Sequence, residues 1–204
     1  MLIVRAAINE GFDATHIPSY GPESRGGTSY ADVQVGSTEV LSPASPNPHV
    51  LIAFNAPSLD RFAPAVRAGG TIIYDSSVID DPPVLPAGVT AHGVPLARIA
   101  TGLGKVLVKN IVALGALQRA THLFPADTFL AAIRQALKGK AAMIALNEDA
   151  FEQGRCAIVA PTDVDSEPKC ARMQADGVPC DCADADCETC AEAAAYAARN
   201  KTAS

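Results

Sequence analysis

The stretch Gly69-Gly70-Thr71-Ile72-Ile73-Tyr74-Asp75 decides the fold class of this chain of 204 residues. Residues 70–74 form a short apolar segment that begins with glycine. This pattern is typical of a strand buried in a mostly parallel sheet. Residues 49–54 have the same character. Between these two segments, Ser58 is suited to cap the N-terminus of a short amphipathic helix. The Gly69-Gly70 pair is suited to terminate that helix. A strand, a helix and a second strand predict an α/β layer.

The rest of residues 1–154 continues this alternation of strand-like and helix-like segments. Residues 29–35 alternate between apolar and polar side chains, as a half-buried strand does, and residues 89–94 predict a further strand. Residues 106–121 predict a long helix, which is so apolar that we expect it to be buried. Residues 127–138 predict an amphipathic helix. We therefore expect an α/β fold with a layered, mostly parallel sheet and flanking helices.

A segment rich in turn residues, residues 18–27, precedes the first of these strands. Its prolines fix backbone angles, its glycines permit unusual ones, and it carries one acid, one base and a tyrosine. We predict that it forms a ligand or interface loop, with these contact residues: Ser19, Tyr20, Gly21, Pro22, Glu23, Arg25, Gly26 and Gly27. Arg25 is the better candidate for contacting an anion or a carboxylate, because its planar guanidinium can donate two parallel hydrogen bonds. A local ion pair between Glu23 and Arg25 is the alternative.

Composition excludes several classes of function. The net charge of −6 argues against a nucleic-acid partner, and the scarcity of aromatic residues argues against base stacking. No segment approaches the roughly 20 apolar residues of a membrane span. The apolar segment at the start of the sequence is too short for a signal peptide, so we expect a cytoplasmic protein.

The composition changes near Gly154, where we place a domain boundary between residues 1–154 and 155–204. Residues 1–150 carry 12 acids and 11 bases, whereas residues 151–204 carry 10 acids, 5 bases and all six cysteines. We expect an α/β domain followed by a cysteine-rich acidic tail.

Five cysteines of this tail lie within 21 residues: Cys170, Cys180, Cys182, Cys187 and Cys190. Because cytosolic thiols stay reduced, metal binding is favoured over disulfides. The last three have the local spacing of plant-type two-iron ferredoxins, so the tail predicts an iron–sulfur cluster or zinc. An acidic tail that binds no metal is the alternative.

No complete catalytic motif is visible. The chain has no nucleophile elbow, phosphate loop or His-Glu-x-x-His, and its four histidines share no motif. Asn55 and Ser76 follow predicted strands, where α/β folds place ligand contacts, and Asn110 lies in the long helix. We take these three as candidate contacts, with a capping role as the alternative for Ser76. The chain alone does not predict a complete enzyme.

Five ordered segments resemble the γ subunit, or γ domain, of the 2-oxoacid:acceptor oxidoreductases, which include the pyruvate:ferredoxin and 2-oxoglutarate:ferredoxin enzymes. They span about three quarters of the chain: residues 19–27, 49–55, 68–77, 110–117 and 146–154. The family's opening strand and Gly-x-Gly-Gly-Gln-Gly turn have no counterpart here, so the resemblance predicts an N-terminally incomplete γ-type domain. Three explanations for the missing strand and turn stay open. The start of the sequence is assigned too late, a neighbouring chain carries the segment, or this member has rebuilt its sheet.

The resemblance implies a role inside a larger enzyme rather than catalysis by this chain alone. In that family, α- and β-type chains hold thiamine diphosphate, which decarboxylates a 2-oxoacid. Coenzyme A accepts the acyl group in many members, and electrons leave through iron–sulfur clusters to ferredoxin or a ferredoxin-like subunit. The loop of residues 20–27 would face this assembly. The alternative function is a non-catalytic metal-binding interaction module on an α/β scaffold.

Overall fold

The computed structural model describes residues 1–20, 29–42, 44–80 and 84–158. Residues Met1–Arg155 form one compact unit, and of a second unit, Cys156–Ser204, only residues 156–158 are described. The elements run α1 (Leu2–Asn9), β1 (Asp13–Tyr20), β2 (Ser29–Gly36), β3 (Val50–Ala53), α2 (Ala56–Phe62), β4 (Thr71–Asp75), β5 (Thr90–Val94), α3 (Leu96–Gly102), α4 (Lys109–Thr121), α5 (Ala126–Ala136) and α6 (Ala141–Cys156). The division at residue 154 stays a prediction, because most of the tail lies outside the described residues.

The expected parallel sheet is present, with β4 at its centre. The strand order is β3-β4-β5, and both neighbours run parallel to β4. Ile72 and Ile73 point to opposite faces of the sheet and are both fully buried, which is why the sequence of β4 is apolar without alternation. The α/β fold class predicted from the sequence is confirmed.

The glycine pair before β4 is required by local geometry. Gly69 has φ +77°, which a residue with a side chain rarely adopts, and its N–H donates to the Gly88 carbonyl at 2.8 Å. A Cβ on Gly70 would lie 2.8 Å from the His49 carbonyl oxygen. This turn therefore starts β4 in contact with the residue that precedes β3.

A second, two-stranded sheet is formed by β1 and β2, which pair antiparallel from Asp13 with Gly36 to Tyr20 with Ser29. The strand predicted for residues 29–35 is confirmed. The loop predicted to start at Pro18 is wrong in its first three residues, because Pro18, Ser19 and Tyr20 continue β1. A two-stranded sheet has only edge strands, where proline is tolerated.

The predicted cap of α2 is also wrong. Asn55, and not Ser58, is the N-cap: its Oδ1 accepts a hydrogen bond from the Ser58 N–H at 2.9 Å. Asparagine and serine are about equally good caps, so the sequence did not discriminate between them.

The predicted long helix is buried as expected, although it starts later than predicted. Residues 106–108 form a 3₁₀ turn, and α4 begins at Lys109. Residues 111–118 of α4 are all buried. A Cβ on Gly115 would lie 1.9 Å from the Phe151 carbonyl oxygen, and one on Gly154 would lie 1.9 Å from the Val112 carbonyl oxygen. The backbones of α4 and α6 are therefore in direct contact at these two glycines.

Aromatic rings connect the other helices. Phe124 lies 5.5 Å from Phe12 and 6.1 Å from Phe129, and Phe129 lies 5.9 Å from Phe151, as measured between ring centroids. Thr128 of α5 donates a hydrogen bond to Glu10, which follows α1. Within the described ranges, no helix is long and apolar enough to cross a bilayer.

Candidate functional site

The carboxyl edge of the parallel sheet brings together side chains from three elements. Asp75 is the last residue of β4, Phe54 directly follows β3, and Lys109 opens α4. The Lys109 ammonium nitrogen lies 3.5 Å from Asp75 Oδ2 and 5.1 Å from the centroid of the Phe54 ring. One cation therefore contacts both a carboxylate and an aromatic face at this edge.

Asp75 is fully buried, so its carboxylate depends on the partners around it. Its Oδ1 accepts hydrogen bonds from the Ser77 N–H at 3.1 Å and the Ala97 N–H at 3.2 Å. Its Oδ2 has no hydrogen-bond partner, and Lys109 supplies the neutralising charge. These contacts join the end of β4 to the starts of α3 and α4, so Asp75 fixes three elements at one point.

An open groove of about 650 Å³ lies beside this carboxylate. It is lined by Ser76, Ser77, Asp80, Ala97, Arg98, Thr101 and Gly102. The Ser77 hydroxyl accepts a hydrogen bond from the Arg98 N–H at 3.1 Å, which links β4 to α3. The groove offers hydroxyls, one cation and one anion, which can bind polar groups. Among the described residues, no general base contacts either serine.

One histidine, His92, lies in the parallel sheet. It lies on β5, paired with Ile73, and partial burial lowers its pKa from the ordinary value.

The three strand-end and helix candidates each adjoin in sequence one of the residues that meet at the carboxyl edge, namely Phe54, Asp75 and Lys109. Asn55 follows β3 and caps α2. Ser76 follows β4, is half-buried and lines the groove. Asn110 is exposed in the first turn of α4, next to Lys109. Their role as ligand contacts stays a prediction.

The predicted interface loop is only partly described. Ser19 pairs with Tyr30 and is half-buried, and Tyr20 pairs with Ser29 at the end of β1. The remaining loop candidates lie outside the described residues: Gly21, Pro22, Glu23, Arg25, Gly26 and Gly27. The five candidate metal ligands of the tail also lie outside them: Cys170, Cys180, Cys182, Cys187 and Cys190.

Sequence reasoning missed Asp75, Lys109 and Phe54. A carboxylate at the end of an apolar strand was a usable signal for Asp75, because such a group needs a buried partner. Nothing in the sequence marked Lys109, 34 positions away, as that partner.

The described residues do not fit a resident metal or cluster. No group of three or more His, Cys, Asp or Glu side chains in the described chain is placed to hold a metal ion.

Glycines in three of the segments that carry the family resemblance are explained by packing or turn geometry. Gly115 belongs to residues 110–117 and Gly154 to residues 146–154, and these glycines form the close contact between α4 and α6. The glycine pair of residues 68–77 forms the turn into β4. The glycines of these motifs are therefore fold determinants.

Comparison with known sequences gives consistent relatives. The subunit VorA of a ketoisovalerate oxidoreductase from Methanothermobacter marburgensis is 38% identical over 156 residues, which are 76% of this chain and 32% of VorA. The subunit KorC of a 2-oxoglutarate synthase from Methanocaldococcus jannaschii is 30% identical over 129 residues, which are 63% of this chain and 69% of KorC. The chain thus spans about a third of VorA and about two thirds of KorC.

Solved structures share the fold. The γ subunit of a keto/oxoacid ferredoxin oxidoreductase from Geobacter sulfurreducens is 25% identical, with a TM-score of 0.63, over 75% of this chain and 85% of that one. A 2-oxoglutarate:ferredoxin oxidoreductase chain from Magnetococcus marinus is 24% identical, with a TM-score of 0.67, over 76% of this chain and 27% of that one; this likeness concerns the fold alone.

The family comparison is the most extensive of these findings. The sequence model of the pyruvate ferredoxin/flavodoxin oxidoreductase family matches residues 1–157, more than three quarters of the chain and nearly the whole of its described part. The same span contains the parallel sheet, the Asp75–Lys109 pair and the α4–α6 contact. The chain therefore belongs to the pyruvate ferredoxin/flavodoxin oxidoreductase family.

Proposed function

We propose that this chain is the γ-type part of a 2-oxoacid:acceptor oxidoreductase complex, and that it assembles and closes the complex rather than holding its reactive cofactor. In the overall reaction the bond between the carboxylate and the 2-oxo carbon of the substrate breaks and CO2 leaves. The acyl group passes to coenzyme A, and the electron pair passes to ferredoxin or a similar acceptor. The contribution of this chain is structural.

The family match over residues 1–157 carries this proposal. It is supported by the likeness to a γ subunit that is a chain of its own, of which this chain covers 85%. The candidate site is consistent with a structural role, because its buried carboxylate is bound by two backbone N–H groups and a lysine.

The cofactors of the reaction belong to other chains in this proposal. Thiamine diphosphate and iron–sulfur clusters are held by α- and β-type subunits and a ferredoxin-like subunit, with coenzyme A as co-substrate. This assignment follows from the family to which the chain belongs. The complex acts in the cytoplasm, where the cysteines of the tail stay reduced.

The proposal is tested by acceptor reduction. The full chain is produced together with the α- and β-type chains of the same genome, and reduction of ferredoxin is followed with ketoisovalerate and with 2-oxoglutarate as substrates. We expect one of these 2-oxoacids to drive reduction, and omission of this chain to lower the rate. An undiminished rate without this chain would contradict the proposal.

The tail supports a second proposal, that it binds an iron–sulfur cluster or zinc. The observation that favours it is the Cys182-x4-Cys187-x2-Cys190 spacing. Anaerobically purified full chain is assayed for iron, sulfide and zinc and for visible absorbance. Cys187→Ser should lower the bound metal, whereas Cys156→Ser, outside the motif, should not. An absence of all three elements from the unsubstituted chain would refute metal binding.

A further inference from the structure

Positive charge is concentrated in one part of an acidic chain. The whole chain has a net charge of −6, yet residues 84–147 contain seven bases and a single acid, Asp127. The bases are Arg98, Lys105, Lys109, Arg119, Arg134, Lys138 and Lys140. Asp127 lies in the first turn of α5, whereas Lys138 and Lys140 follow the last turn of that helix. The acid and the lysines are therefore at opposite ends of α5.

The structure brings three of these lysines together. Lys105 Nζ lies 3.6 Å from the Met143 sulfur, and the Met143 N–H donates to the Lys140 carbonyl at 2.9 Å. The Lys140 N–H in turn donates to the Leu137 carbonyl at 2.9 Å, so Lys138 lies within the same tight turn. All three lysines are exposed. The turn before α4 and the turn between α5 and α6 thus form one positively charged corner.

Two large apolar side chains project from this corner. Val106 is 60% exposed and Leu107 is 89% exposed, on the 3₁₀ turn between Lys105 and Lys109. The next residue, Val108, is buried, and Lys109 is bound to Asp75. The backbone beside the two exposed side chains is therefore held in place by Val108 and Lys109. A single exposed leucine is ordinary, but adjacent apolar side chains framed by lysines are typical of a contact surface.

Acidic groups on the neighbouring helix are already engaged. Glu148 of α6 forms an ion pair with Arg134, and the carboxylate of Asp149 accepts a hydrogen bond from Gln153. Within the described residues, none of Lys105, Lys138 and Lys140 forms an ion pair, so their charges are available to an outside partner.

We infer that this basic corner, defined as Lys105, Val106, Leu107, Lys138 and Lys140, docks an acidic and partly apolar surface of a neighbouring protein chain. The inference rests on the proposed function, since it names the face with which the chain enters its complex. Lysines act as hydrated point charges that attract an acidic surface at long range. A phosphate-bearing ligand is usually held in a concave site by arginine forks or backbone N–H groups, whereas Leu107 projects outward.

Binding of the full chain to the purified α- and β-type chains of the proposed complex tests this inference. The charge variant is Lys105→Glu with Lys138→Glu and Lys140→Glu, and the apolar variant is Leu107→Ser. Arg119→Glu reverses one exposed base at the far end of α4 and is the control for a charge reversal outside the corner. Dissociation constants are measured at about 50 and 300 mM salt, since screening differs between these conditions.

We expect the charge variant to bind at least about tenfold more weakly at low salt and to lose most of the salt dependence. Leu107→Ser should weaken binding about fivefold while keeping the salt dependence, and Arg119→Glu should bind like the unsubstituted chain. Equal binding by all variants, with normal binding of the unsubstituted chain, would overturn this inference alone. No binding by the unsubstituted chain would overturn the proposed function and the inference with it.

A further experiment measures the binding of coenzyme A alone to the same variants by calorimetry. We expect the unsubstituted chain and the charge variant to bind it equally or not at all. If the charge variant loses coenzyme A binding but keeps subunit binding, the corner is a phosphate site and protein docking is refuted.

Discussion

Replacing Gly154 with alanine is a direct test of the packing that supports the site. The new Cβ would lie 1.9 Å from the Val112 carbonyl oxygen and 3.0 Å from the Val112 Cα. Because these are backbone atoms of α4, no side chain can rotate away. The two helices must separate locally by at least about 1 Å to restore an ordinary contact.

The expected magnitude follows from two opposing effects. Inserting a methyl group into packed structure costs about 1–3 kcal/mol, and the backbone contact here places the cost at or above the top of that range. Alanine is favoured over glycine inside a helix by about 1 kcal/mol, which offsets part of this cost. We therefore expect Gly154→Ala to lower the free energy of unfolding by about 2 kcal/mol.

Urea unfolding of the full chain measures this difference. With a typical slope of about 2 kcal/mol per M, the midpoint should fall by about 1 M. Gly102→Ala is the matched control, because a Cβ there meets nothing within 4 Å. We expect the control to leave the free energy of unfolding unchanged or to raise it by up to about 1 kcal/mol, because Gly102 ends α3 and alanine is the better helix former. A midpoint for Gly154→Ala at or above that of the unsubstituted chain would refute the close contact.

Three further substitutions test individual contacts. Asp75→Asn removes the charge that pairs with the partly exposed Lys109. We expect it to lower the free energy of unfolding by about 1–3 kcal/mol in urea titrations. Unchanged stability would contradict a stabilising ion pair at this position. Burial lowers the pKa of His92 below 6.5, so the unfolded chain binds a proton that the folded chain does not, and stability falls as the pH drops below about 6.5. His92→Gln should therefore lose less stability than the unsubstituted chain between about pH 7.5 and 5.5, and an equal loss would argue against this assignment. His122 has φ +49°, so His122→Gly should raise the thermal midpoint slightly, and a lower midpoint would show that its side chain contributes more than its strain costs.

The fold class could be predicted from the sequence because its signals are local. Ile72 and Ile73 mark a strand buried on both faces, and Gly69 marks the turn before it. The burial of α4 follows from its own composition. By contrast, Pro18 indicated a loop, and the pairing of Pro18 with Ala31 in an edge strand depends on a segment farther along the chain.

The site could not be predicted to the same degree because its contacts join distant positions. Asp75 and Lys109 are ordinary residues in their own segments, and only the meeting of β4 with α4 makes them a buried pair. The charge excess of residues 84–147 could be counted from the sequence, but the contact between Lys105 and Met143 was needed to show that the lysines share one corner.

The composition of the purified complex tests the central claim most directly. The full chain, carrying an affinity tag, is produced with the α- and β-type chains, and the intact assembly is weighed by native mass spectrometry. We predict a single complex that contains this chain together with the α- and β-type chains. Recovery of this chain alone, while the α- and β-type chains assemble and oxidise a 2-oxoacid at full rate without it, would contradict the account.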